Sequence, residues 1–158
     1  MKHIKTYKLF ESGISSFNSK IIEGLSYFKK FEIESERKYK ELEPDVKDIL
    51  LELNDVGVIS NTTKYISRNY FQFQIEINSL KTTEQKQICE DSLLRLEDFL
   101  SEHGLRFSGI EVVQVISDRR GTETHQFTYY AMSEVRNLKE ATGTISLEVI
   151  FSKIHENY

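Results

Sequence analysis

Residues 70–77 read YFQFQIEI: Phe71, Phe73, Ile75 and Ile77 alternate strictly with Gln72, Gln74 and Glu76. A period of two turns one set of side chains toward a core and the other toward water, so the stretch is predicted to be a β-strand in a sheet covered on one side. The apolar run VGVIS upstream, with the polar NTTK between them, is expected to supply a hairpin partner over 57–61. Downstream, Thr82 and Gln85 have the spacing of a capping box, and Cys89, Leu93, Leu96 and Leu100 then share one helical side up to a stop at Gly104.

The same pattern extends toward both ends. LRFSGIEVVQVIS (105–117) reads as a strand whose apolar phase changes between Ile110/Val112 and Val113/Val115, which calls for a bulge or for burial on both faces. Asp118 and Gly121 mark a turn, and Phe127 and Tyr129 continue as the return strand of a hairpin. Residues 133–143 are polar and read as a loop or short helix, after which Ile145, Leu147, Val149 and Phe151 alternate as a last strand. Before the first strand, Pro44 is placed to begin a helix bearing Val46, Ile49, Leu50 and Leu53, with Gly57 as its stop. An earlier helix is expected from Ser16, with Phe17, Ile21, Ile22, Leu25 and Phe28 at helical spacing; residues 1–15 show no sustained period and read as an arm. The predicted fold is therefore α+β: a mostly antiparallel sheet of about five strands with two or three helices packed on one face. It divides into an N-terminal arm and helix, residues 1–43, and an α+β domain, residues 44–158.

Composition narrows the chemistry. No run approaches the ~18 apolar residues of a membrane span, so the chain reads as soluble and without a membrane partner. Residues 1–43 hold nine Lys/Arg against seven Asp/Glu, whereas 44–158 hold twelve against eighteen. An acidic body repels a phosphate backbone, and nucleic acid is disfavoured as a partner. Cys89 is the single cysteine, which rules out an intrachain disulfide and fits a reducing compartment such as the cytoplasm. The histidines at 3, 103, 125 and 155 lack metal-ligand spacing, and none of the glycines forms a phosphate-binding loop. No metal, no cofactor and no catalytic residue is predicted.

Recognition is the favoured class, with an enzyme ranked behind it for want of a motif, and a few residues suit recognition. Arg119 and Arg120 sit on the predicted hairpin tip, where guanidinium forks can take a carboxylate or phosphate. His125 follows with Glu123 close in sequence, and Tyr129 and Tyr130 offer rings with a polar handle of the kind enriched at interfaces. The outer side of the sheet displays Tyr70, Gln72 and Gln74. Exposed sheet edges make a homo-oligomer compatible with the pattern.

The chain begins MKHIKTYKLFES, in which Ile4, Tyr7, Leu9 and Phe10 alternate with Lys2, Lys5 and Lys8 as in a short amphipathic docking element. Lys5-Thr6-Tyr7 followed by Phe10-Glu11 resembles the leader of small proteins encoded by large tailed bacteriophages. That resemblance implies a virion-associated or capsid-packaged protein, docked or processed through Tyr7, Leu9, Phe10 and Glu11, with cleavage after Leu9-Phe10-Glu11 leaving Ser12 first. The resulting expectation is a non-enzymatic, phage-type protein that binds a protein partner in the host cytoplasm or the virion. The alternative is a small intracellular inhibitor, or a protein that sequesters a ligand, acting on a host factor.

Overall fold

The strict alternation of 70–77 folds as expected, and it organises the sheet around it. In the computed structural model, which describes residues 2–67, 70–135 and 137–154 and side chains from Lys20 to Lys153 of these, β1 (Ile59–Ile66) and β2 (Tyr70–Leu80) form an antiparallel hairpin. β1 pairs along its whole length, from Ile59 opposite Asn78 to Ile66 opposite Phe71, so the polar NTTK belongs to the strand and is not a gap before it. Threonine suits a half-exposed pleated strand, and cross-strand pairing with β2 outweighs the lack of apolar residues there.

The chain continues through α3 (Thr83–Glu102), β3 (Arg106–Asp118), β4 (Gly121–Tyr129), two 3-10 turns (Met132–Val135 and Leu138–Glu140) and β5 (Thr144–Ile154). Before β1 lie α1 (Lys2–Ile49) and α2 (Leu51–Asp55). The strand order is β1-β2-β5-β3-β4, with every neighbouring pair antiparallel. The last strand thus inserts into the middle of the sheet. Phe71, Phe73, Ile75, Ile77, Ile110, Val112, Ile145, Leu147, Val149 and Phe151 form one buried face. Onto that face α3 brings Cys89, Leu93, Leu96 and Leu100, while Tyr39, Leu42 and Val46 come from the last turns of α1 and Leu50 from its junction with α2. This is an α+β fold with helices on one face of an antiparallel sheet.

The sequence signals at α3 are realised in full: the Thr82 hydroxyl accepts from the Gln85 N–H at 3.1 Å, and the Gln85 side chain accepts from the Thr82 N–H at 3.2 Å. Cys89 is fully buried, and burial pushes its thiol pKa well up, so it is an inert packing group. In β3 the phase change is two-sided burial. The register with β4 runs unbroken from Ile110 to Asp118, Val113 and Val115 lie half-buried on the opposite face, and the register shift against β5 falls earlier, between Phe107 and Gly109.

The N-terminal part differs from expectation. Where an arm, a helix from Ser16 and a new helix at Pro44 are predicted, one helix of 48 residues runs from Lys2 to Ile49 with Pro44 inside it. Proline lacks the N–H for one i→i−4 bond, yet Glu, Lys, Arg and Leu in EIESERKYKELE are strong helix formers, and the Lys47 ammonium bonds the Glu43 carboxylate at 2.8 Å across that point. By packing, the chain forms two units, Met1–Arg37 and Lys38–Tyr158. Among the described residues no helix is long and apolar enough to cross a membrane.

Candidate binding edge and groove

β4 is the outer strand on one side of the sheet, and it differs in composition from its neighbours. Its nine residues, GTETHQFTY, carry one formal charge and no proline or lysine, and all but Tyr129 are exposed. Pairing places Glu123, His125, Phe127 and Tyr129 on the same side as Ile116, Gln114, Val112 and Ile110, the side that the helices cover farther in. Here the helical layer has ended, so these side chains stand clear of it. His125, Phe127 and Tyr129 stack along the strand with ring centroids 6.3 Å apart at each step.

The stack borders a groove of about 240 Å³. Phe127 and Tyr129 line it from β4, Val112 and Ile145 from its floor, and Val135 and Leu138 from the 3-10 turns. Polar groups mark its rim: Gln114, Glu134 and Asn137. The turns are fixed by local bonds. Glu134 accepts from the Tyr130 and Ala131 N–H groups at 3.1 and 3.2 Å, which ties the chain leaving β4 to the first turn. Farther on, the Lys86 ammonium donates to the Ala141 carbonyl at 2.5 Å and the Gly143 carbonyl at 2.9 Å, while Gln114 donates to the Thr142 carbonyl at 2.7 Å. Lys86 is buried, and burial lowers its pKa. Gly143 has a φ of +74°, and a Cβ there would lie 2.3 Å from the Val115 carbonyl oxygen, so only glycine lets the loop come this close. The groove wall is therefore rigidly anchored.

The structure separates the residues expected to act together. Arg119 and Arg120 form the exposed two-residue tip between the paired Asp118 and Gly121, where the Asp118 carboxylate accepts from the Arg120 and Gly121 N–H groups at 2.6 and 3.1 Å. Tyr129 pairs with Ile110 at the far end of the hairpin, about 27 Å away at the rise of an extended strand. The arginine tip and the tyrosines thus cannot serve one small ligand. His125 lies between them, its Nε2 3.5 Å from the Glu123 carboxylate, with both side chains open to solvent. Tyr130 lies just past β4 and is 77% exposed. Tyr7, Leu9, Phe10 and Glu11 fall within the backbone of α1, and their side chains lie outside the described residues.

A second polar feature comes from the strand order alone. Glu148 on β5 faces Glu76 on β2 and Glu111 on β3, so three carboxylates form a row across the sheet face away from the helices. Desolvation first, then Glu111 and Glu76, raise the Glu148 pKa above the usual carboxylate value. Each glutamate occupies an ordinary polar phase of its strand, and no sequence signal brings β5 between β2 and β3. The groove residues Gln114, Glu134, Val135, Asn137 and Leu138 were equally hidden, because they meet only through the connection folding back beside β4. Among the described residues no group of three or more His, Cys, Asp and Glu side chains is set to hold a metal ion. Compared with family models, with curated proteins and with solved structures, the chain matches none.

Proposed function

We propose that this protein is a non-enzymatic binding module that takes an extended segment of a partner protein as an added strand along β4. The observation that carries this reading is the bare edge beside an anchored apolar groove. An edge strand offers a row of backbone N–H and C=O groups that another strand can pair with, and natural edges usually carry lysine, proline or a cover to prevent this. β4 has none of those guards, while Phe127, 40% exposed, and Tyr129 mark the place where alternate side chains of an incoming strand meet the groove. Main-chain pairing would supply much of the affinity and the groove the selectivity, favouring a segment with apolar residues at every second position.

A photo-crosslinking residue in place of Phe127, compared with one in place of Glu97 on α3, tests this in cells that make the protein. The expected result is one discrete polypeptide adduct from position 127, lost when Thr124→Pro is added, and none from position 97. Equal labelling from both positions, or none from 127, would overturn it. The leader residues favour a place for that partner: Lys5, Thr6, Tyr7, Phe10 and Glu11 resemble phage leaders, so the reading extends to a virion-associated or capsid-packaged protein. Leu9-Phe10-Glu11 is helical here, and cleavage would require local unwinding, since proteases act on exposed, irregular backbone. Mass spectrometry of purified particles should find the chain, beginning at Met1 or at Ser12. Its absence from particles would favour the inhibitor reading.

A further inference from the structure

The register of the β3–β4 hairpin fixes which backbone groups of β4 face outward. Asp118 and Gly121 close the turn and exchange both backbone bonds, and the bonded pairs then recur at every second step. Gly121, Glu123, His125, Phe127 and Tyr129 therefore direct their N–H and C=O groups to β3. Thr122, Thr124, Gln126 and Thr128 turn theirs to the open side. The next outward N–H, that of Tyr130, is already taken by the Glu134 carboxylate at 3.1 Å. The free edge thus runs from Thr122 to Thr128, about 20 Å.

Its two ends differ in charge. Beyond Thr122 stand Arg119 and Arg120, both exposed. The carboxylate of the turn, Asp118, accepts from the Arg120 and Gly121 N–H groups, and among the described residues neither guanidinium forms an ion pair. The one acid of β4, Glu123, lies 3.5 Å from His125. Beyond Thr128 stands Glu134. Phe127 and Tyr129 border the groove, while threonine and glutamine occupy the other face of the strand. No small molecule reaches from the groove to the tip, but an extended chain does, at about 3.4 Å per residue.

We infer, resting on the reading of β4 as a strand-binding edge, that the partner segment runs antiparallel to β4, with alternating apolar residues in its N-terminal half and acidic residues at its C-terminal end. Antiparallel pairing continues a sheet in which every neighbouring pair is antiparallel, and it is the more stable arrangement per residue. In that direction the segment enters beside Tyr129 and leaves beside Gly121. Its first apolar residues meet Phe127, Tyr129 and the groove. Residues about eight to ten positions later meet the two arginines, whose planar forks match a carboxylate. Acidic residues at the opposite end would face Glu134 and be repelled. The charge difference between the ends therefore sets the polarity of the segment, which backbone pairing alone leaves open.

Selection on the full chain from a display library of random peptides of about twelve residues, long enough to pass from groove to tip, tests this. Wild type should enrich peptides with alternating apolar residues followed by Asp or Glu near the C-terminus. R119S/R120S should keep the alternation and lose the acidic preference. A peptide selected on wild type should bind that variant about three- to tenfold more weakly, with the difference narrowing in high salt. T124P removes an outward N–H that the sheet does not use, so it should hold its urea midpoint and enrich nothing. Alternating peptides with N-terminal acids, or with no acidic preference, would overturn the polarity and leave edge pairing in place. Enrichment of the same peptides by T124P, or of none by wild type, would overturn edge pairing itself and this inference with it.

Discussion

β1 and β4 are the two rims of one sheet, yet one is shielded at its middle and the other is not. On β1, the Tyr39 hydroxyl lies within 3.1–3.2 Å of the Thr62 carbonyl, the Thr62 hydroxyl and the Glu43 carboxylate, and its ring rests 5.0 Å from Phe73. The Lys64 ammonium sits 4.9 Å over the same ring, which sets a charged side chain on this rim. On β4 the equivalent positions hold His125, Phe127 and Tyr129 beside an open groove. On the proposed reading, the contrast separates a rim that the fold itself shields from one left to a partner strand.

The strongest challenge to this contrast is at Tyr39. Tyr39→Ala removes a buried ring, with an expected loss of about 3 kcal/mol in urea unfolding. Hydrogen exchange should rise through Ile59–Ile66 and stay unchanged in Gly121–Tyr129; a uniform rise would mean that Tyr39 supports the whole core and does not guard one rim.

Lys86→Met comes next, with about 1–2 kcal/mol expected because two part-buried carbonyls lose their charged donor and the groove wall loosens. It also has a pH signature. The folded pKa of Lys86 is lowered, so just below the ordinary lysine range the unfolded chain binds more protons than the folded one, and wild-type stability should rise with pH there. That rise should vanish in the variant. If it persists, another group is responsible.

Glu148→Gln tests the middle of the sheet, where no cover relieves the repulsion in the carboxylate row. Stabilisation of about 0.5–1 kcal/mol at neutral pH is expected. Because the Glu148 pKa is raised on folding, wild-type stability contributed by this group is complete below the ordinary glutamate value and is lost as pH rises through the folded value. The advantage of the variant should therefore shrink on acidification, and a constant advantage would point to packing. The smallest effect belongs to the open rim: Phe127→Asp should shift stability by no more than about 0.5 kcal/mol while removing partner capture. A large loss of stability would show that β4 is part of the core after all.

Much of the fold was legible because burial leaves a local trace. Alternation in 70–77 and 145–151 identified strands, and the Thr82–Gln85 cap with its apolar stripe identified α3, since each depends on residues only a few positions apart. The N-terminal helix was misread in pieces because Pro44 and the charged stretch look like punctuation locally, whereas helix propensity and i,i+4 pairs such as Glu43–Lys47 carry the helix through. For the binding region, the aromatic residues of β4 were visible, but their distance from Arg119 and Arg120 was not. Closeness in sequence along an extended hairpin becomes distance in space.

The sequence by itself determined the α+β class, the inward faces of its strands and the composition of β4, because side-chain periodicity and charge are properties of short segments. Only the tertiary structure decided that β5 lies between β2 and β3, that three glutamates line up, and that β4 is more exposed than β1. Those outcomes depend on pairings between strands far apart in the chain, as when Ile75 and Ile110 both meet Val149. Such pairing is set by the fit of the whole core and leaves no mark within any one strand.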